Sequence, residues 1–328
     1  MNKLLRRVMI VSLPLALVFR LYSTLSQALG RPRLVTWIQV AALALKVPLS
    51  IWLAFGGAGV PALGLAGCAW ASVAVYLLMV GIAVWTLRTQ DLFTPYRIWA
   101  PLERIDWSAQ RGFARLGIPT ALSIVVEVTS FTLMALFVAR QGVIPAASHQ
   151  VAASLAGLLY MMPLSLGIAA SARVSYWIGA GDLRHARLAL RLGLKLSLGL
   201  ALACALAVAA LHQPLATLYV GDNPPVVAMA AGLLLIVAAY HLFDAVQCVC
   251  VFLLRCFGVA TAPVVVYSLL LWGLGLGGGY VLAYEGVAGG APMQSPAAFW
   301  LAATLALAVT AAAFIALLWR AVRARATA

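Results

Sequence analysis

"LLLIVAAYHLFDAVQCVCVFLL", residues 233–254, is apolar over a length that can cross a bilayer, yet it carries one carboxylate at its centre, Asp244. A membrane-spanning helix needs about 20 mostly apolar residues. An acidic residue at its middle costs about 2.5–3.5 kcal/mol on insertion scales. The remainder of the chain follows the same pattern. Of its 328 residues, 65% are hydrophobic and only 9% are charged, against about 25% charged in soluble domains. These features predict an all-α integral membrane protein, a polytopic helical bundle of about nine transmembrane helices. The expected spans are 8–28, 34–55, 64–87, 116–139, 150–172, 190–211, 226–254, 262–284 and 297–319. The first is the weakest, because it contains Arg20.

The net charge of +14 would suggest a nucleic-acid partner in a soluble protein. Here the basic residues fall in alternate loops, which is a topology signal, and no nucleic-acid partner is expected. One set of loops holds Arg31 and Arg33, then Arg88 to Arg115, then Arg173 to Lys195, then Arg255, and finally the tail with Arg320, Arg323 and Arg325. The opposite loops hold little beyond Arg140. The first set, and the C-terminus with it, is expected in the cytoplasm. Nine spans then place the N-terminus outside, where Lys3, Arg6 and Arg7 break the rule. A cleaved signal peptide fits poorly, because Arg20 and Tyr22 separate the apolar run from any cleavage site. Three missing N-terminal spans explain the anomaly better.

A faint internal repeat points the same way. "QALGRPRLVTWIQVAALALKVPLSIWL" follows the first span, and "RCFGVATAPVVVYSLLLWGLGLGGGYVL" follows the Asp244 span. Gly30 matches Gly258, and each long span then runs into a Gly-rich loop, "GGAGVPALG" or "EGVAGGAPM". Repeated halves of this kind build transporters with a site between them. The expected organisation is a partial N-lobe over 1–88, a cytoplasmic connector over 89–113 and a C-lobe over 114–328.

Two acidic residues lie deep in spans, Glu127 and Asp244. Glu127 follows Arg115 by twelve residues, and Asp244 precedes Arg255 by eleven. At about 1.5 Å per residue, both sit roughly 16–18 Å from the same membrane face. Asp244 is therefore expected to face Glu127. Tyr240, Asp244 and Gln247 fall at i, i+4 and i+7, one stripe of a helix, as do Ser123, Glu127 and Ser130. Polar residues can merely tie membrane helices together, often for only about 0.6 kcal/mol. That return is small beside the cost of burying carboxyls, which favours an ion or proton site. Ionised together, the two carboxylates repel, so one should hold a proton or both should share a cation. A sodium site at Glu127 and Asp244 is the one metal site expected.

The other polar residues read more blandly. The five cysteines form no CxxC pair and suit apolar packing. His149, His185, His212 and His241 lack metal-ligand spacing. Trp37, Trp85, Trp300 and Trp319 lie near span ends, where aromatic residues anchor helices. Lys46 is expected to snorkel. "GLGLGGGY", residues 274–280, lacks the GK[ST] of a phosphate-binding loop and suits close helix packing. No HExxH or GxSxG is present, so an enzyme is not expected, and any transport must draw on an ion gradient.

Several stretches carry a family resemblance. "RLGIPTALSIVVEVTSFTLMALFVARQG" resembles the seventh helix of the multidrug and toxic compound extrusion (MATE) family, in its bacterial NorM-type branch. "ASHQVAASLAGLLYMMPLSLGIAASARVSYWIGAGDLRHAR" resembles the eighth helix and the loop after it. "AAYHLFDAVQCVCVFLLRCFG" resembles the tenth, and "GVPALGLAGCAWASV" the connection from the fifth to the sixth. The resemblance implies a two-lobe fold with an incomplete N-lobe. It implies a bacterial inner-membrane antiporter that exports small organic cations or drugs against sodium or proton entry. It also implies a monomer in the lipid bilayer, with no cofactor beyond the coupling ion. Glu127, Tyr240 and Asp244 match the family's C-lobe cation site, with Gln247, Ser123 and Ser130 as cavity-lining candidates. The family's first three helices, including an aspartate used for coupling in parts of the family, have no counterpart. Little transport is expected from such a chain alone. The alternatives are a flippase of lipid-linked saccharides with a related fold and an inert membrane fragment.

Overall fold

The computed structural model describes residues 3–57, 59, 61–96, 98–100, 106–287 and 290–325; the side chains of residues 3–9 and 11 lie outside that description. The described chain is almost entirely helical. We number the helices α1 (Lys3–Ala28), α2 (Pro32–Phe55), α3 (Leu65–Thr89), α4 (Trp107–Ala139), α5 (Val143–Gly179), α6 (Leu183–Val220), α7 (Pro224–Cys256), α8 (Thr261–Glu285) and α9 (Pro296–Ala324). A short 3₁₀ turn, Asp91–Tyr96, follows α3. Each expected span falls within one helix, except that Gly64 of the span 64–87 is the residue just before α3. Among the described residues, eight helices, α2 to α9, are long and apolar enough to cross a membrane. α1, with Arg20, is helical but is not one of the eight. Helices are the economical solution here, because hydrocarbon offers no partner to a free backbone N–H or C=O.

The chain forms two compact units, Met1–Arg104 and Ile105–Ala328. In the first, α3 packs on α1 and α2 around Phe19, Tyr22, Val35, Ile38, Val75 and Met79. Thr86 Oγ1 lies 3.0 Å from Tyr22 Oη and links α1 to α3. In the second, α7 packs against α5, α6 and α9. The opening stretch explains this central position: Tyr240, His241, Asp244 and Gln247 are all buried, and polar groups within a span turn to the bundle interior and away from lipid.

The expected connector, 89–113, overlaps the last residue of α3 and the first turns of α4. α3 continues to Thr89, and α4 begins at Trp107 because the Asp106 carboxylate caps it, accepting from Ser108 N at 2.8 Å. Residues 97 and 101–105 of the expected segment lie outside the described residues.

The faint repeat is plain in the turns. α1 ends with Gly30 at φ 74°, and α7 ends with Gly258 at φ 76°. Each helix closes with the same pair of bonds: Gly30 N to Gln27 O and Arg31 N to Ser26 O, against Gly258 N to Arg255 O and Val259 N to Leu254 O, all 2.9–3.1 Å. This is the glycine-terminated C-cap in which a left-handed residue satisfies the last carbonyls. The far loops match too. Leu63 N and Gly64 N return to Leu53 O and Ala54 O, as Met293 N and Gln294 N return to Leu282 O and Ala283 O. Gln294 has φ 43° where the first copy has Gly64 at φ 55°. Thus α1–α3 repeat α7–α9.

The glycine stretch serves packing, as its composition suggested. A Cβ on Gly279 would stand 2.7 Å from a ring carbon of Phe299 and 3.0 Å from its Cα. α8 and α9 meet closely only because that Cβ is missing. Much of α8 is wound in wider i→i+5 turns, over Ser268–Gly277 and Val281–Glu285.

Candidate functional site

The site lies wholly within the second unit and is built on α7 and α4. The α7 stripe is buried as its spacing implied, with Tyr240 5%, Asp244 4% and Gln247 1% exposed. α4 presents Glu127 and Ser130, both half-buried, toward α7 and α8. α8 and α4 are held in register by side chains that reach each other's backbones. Trp272 Nε1 donates to Val126 O at 3.1 Å, Tyr284 Oη donates to Phe137 O at 2.6 Å, and Ser130 Oγ donates to Leu271 O at 3.4 Å. The carbonyl of Val126 immediately precedes Glu127, so the first of these bonds holds the carboxyl-bearing turn in place.

Glu127, Ser130 and Tyr240 line one cavity together with Phe131, Leu271 and Phe299. Its volume is about 20 Å³. A single water needs about 10–15 Å³, so the space takes one water or one small cation and no drug-sized molecule. Three oxygen-bearing side chains line it beside the aromatic residues Phe131 and Phe299. Oxygen donors suit hard cations, and an aromatic face also attracts positive charge. Tyr240 is held edge-on by Trp300, with ring centroids 5.3 Å apart, and by Phe131 at 6.1 Å.

Asp244 does not share the cavity wall. Its Oδ1 accepts from Gln247 Nε2 at 2.9 Å, and Gln247 Oε1 accepts from Tyr267 Oη on α8. Asp244 lies one helical turn from Tyr240, which lines the cavity with Glu127. The expectation of a direct face-to-face pair is therefore replaced by two linked positions, an open one at Glu127 and a hydrogen-bonded one at Asp244. Gln247 and Ser123 are not lining residues. Gln247 is a bridge, and Ser123 turns back on its own helix, where its hydroxyl donates to Pro119 O at 3.0 Å. A helical serine readily makes this bond.

Sequence reasoning missed Tyr267, Tyr160 and Trp300. Tyr160 on α5 lies close to Cys248, one turn beyond Asp244 on α7. Trp300, read above as an anchor, is fully buried between Tyr240 and His149, with its Nε1 lacking a partner. It lies early in α9, but α9 turns that face to α7. Trp37 and Trp85 do stay exposed. A tyrosine in mid-span was the available signal for Tyr160 and Tyr267. Of the histidines, His149 and His241 are buried, and each leaves one ring nitrogen unpaired. Among the described residues, no group of three or more His, Cys, Asp or Glu side chains could hold a metal ion.

Comparison with known proteins gives a consistent result. The MatE family profile matches residues 119–281. A probable multidrug resistance protein NorM of Aromatoleum aromaticum is 35% identical, covering 92% of this chain and 65% of that protein. The MATE transporter NorM-NG, solved with a bound monobody, superposes with a TM-score of 0.74 at 29% identity, covering 92% of this chain and 65% of that one. A MATE transporter of Vibrio cholerae, VcmN, gives a TM-score of 0.80 at 18% identity, covering 93% and 66%. The chain spans about 65% of the length of the curated relatives it matches.

Proposed function

The chain belongs to the MatE family, and from that premise we propose that it carries the ion-coupling unit of a secondary antiporter. The antiporter exports small organic cations or drugs against inward sodium or protons. The observation that carries this reading is the cavity that Glu127 and Tyr240 line, with Asp244 close behind. Its volume, about 20 Å³, suits the coupling ion. The organic cation must bind elsewhere and compete through charge.

The mechanism follows from electrostatics. With a carboxyl ionised, the unit attracts positive charge; with a proton or sodium ion bound, it does not. A coupling ion arriving from one side can therefore release the organic cation on the other, provided the protein alternates between two states with different affinities. The Tyr240 hydroxyl is placed to join the ion's oxygen shell. Phe131 supplies an apolar wall that excludes further water. Deep charges that are acidic favour cationic cargo over a lipid-linked saccharide. The basic loops and the C-terminus face the cytoplasm, 89–113 joins the two lobes on that side, and the protein works as a monomer in a bacterial inner membrane.

Infrared difference spectroscopy on the purified chain tests the reading. A pH or sodium jump should change a buried carboxyl band, and Glu127→Gln should remove part of that change. A response to sodium at constant pH identifies sodium as the ion; a response to pH alone identifies the proton. No buried carboxyl response to either jump would refute the site.

A further inference from the structure

We propose that the first turns of α6 form a docking site for the phosphodiester headgroup of an anionic membrane lipid. The inference rests on the chain spanning a bilayer and not on the transport reading. Arg184, Arg187, Arg191 and Lys195 fall at i, i+3, i+7 and i+11, a single basic stripe along the helix. Leu183, Arg184, His185, Arg187, Leu188 and Arg191 line an open groove of about 670 Å³.

The arginines are free to meet a phosphate. The one carboxylate in this turn, Asp182, is already engaged, accepting from His185 N at 3.0 Å and pairing with the His185 ring at 2.6 Å. That is the one ion pair found among the described residues, so none of the three arginines has a carboxylate within 4.0 Å there. Planar guanidinium groups grip phosphate oxygens in pairs.

The surroundings select a lipid over a dissolved anion. Leu188, Leu192 and Leu196 continue along the helix at 53%, 50% and 56% exposure, an apolar strip for acyl chains directly beyond the arginines. Trp177 stacks on His185 at 4.7 Å, and the Arg191 guanidinium lies 5.8 Å from the Trp319 ring. Tryptophans at this level mark the interface between headgroups and hydrocarbon. On the orientation proposed above, this is the cytoplasmic leaflet, where anionic lipids attract basic side chains.

Native mass spectrometry of the purified chain, titrated with phosphatidylglycerol or phosphatidylcholine, tests the proposal. The chain should retain phosphatidylglycerol in preference. Each arginine near an anionic surface contributes about fivefold, so the triple variant Arg184→Gln, Arg187→Gln, Arg191→Gln should lose on the order of a hundredfold in that preference. The matching triple Arg→Lys variant keeps the charge and should keep most of it, which separates site loss from misfolding. Removing three basic residues elsewhere, by Arg31→Gln, Arg33→Gln and Arg115→Gln, should leave it intact. Equal loss in this control would mean diffuse charge and overturn the site. So would an unchanged preference in the groove variant, or equal displacement by inorganic phosphate, which would make it a site for dissolved anions.

Discussion

At the scale of single residues, Asp244 persists in an apolar helix because its neighbours answer it. Gln247 donates to it and accepts from Tyr267, so one amide joins a carboxyl on α7 to a hydroxyl on α8. Gln247→Leu keeps the bulk and removes both bonds, leaving two buried polar groups without partners. The expected cost is about 1–3 kcal/mol, read as a lower unfolding midpoint in detergent. Gln247→Glu should restore part of the loss only when its carboxyl is protonated, that is, toward lower pH. The stripe of Tyr240, Asp244 and Gln247 was legible from spacing alone, since i, i+4 and i+7 share a face whatever the tertiary fold. The burial of Trp300 was not. Sequence gives its height in the membrane, but which way that side of α9 faces is decided by its packing on α7. The turning away of Ser123 was hidden for a related reason, because a helical serine can always bond its own i−4 carbonyl.

At the scale of elements, glycines set where helices can touch and where they stop. Gly279→Ala drives a Cβ into the backbone and ring of Phe299, and overpacking of this kind typically costs about 1–3 kcal/mol. Gly273→Ala, six residues earlier on the same helix, meets nothing within 4 Å and should be neutral or stabilising by up to ~1 kcal/mol. Thermal unfolding of the two variants side by side separates packing from propensity. The matched caps at Gly30 and Gly258 were legible as matched glycines. The returning loop bonds were not, because Gln294 occupies a left-handed position that glycine fills in the first copy. The start of α6 should respond to pH. The His185 backbone N–H and ring hold the Asp182 carboxyl below its usual range. That contribution is therefore present above the ordinary carboxylate range and is lost as pH falls through the lowered value. Hydrogen exchange at the amides of residues 183–186 should speed up only under such acid conditions, and Asp182→Ala should show the fast exchange at neutral pH.

At the scale of the whole molecule, the asymmetry of Arg and Lys is a statement about topology. In a cysteine-free background, Thr94→Cys and Arg325→Cys should resist an impermeant thiol reagent added to intact cells and react once the cells are opened. Labelling of both from outside would reverse the orientation. The positions of eight spans were readable from hydropathy, because bilayer thickness fixes helix length; the ninth expected span, 8–28 with Arg20, is helical but not apolar enough to count among them. The polar segment 89–113 brackets the boundary between units at residues 104 and 105, and the Asp106 cap starts α4 earlier than hydropathy suggests. Coupling is the property on which the functional reading rests, and one flux measurement addresses it. Everted vesicles carrying the chain in a transport-competent form would be loaded with a fluorescent organic cation under an imposed sodium or proton gradient. Wild-type protein should accumulate the cation only with the gradient. Asp244→Asn and Glu127→Gln, which keep shape but cannot carry charge, should each abolish gradient-driven uptake while inserting normally, and Tyr240→Phe should weaken it less. Uptake by Asp244→Asn at the normal rate with unchanged ion dependence would make Asp244 a structural tie between helices and contradict the coupling site.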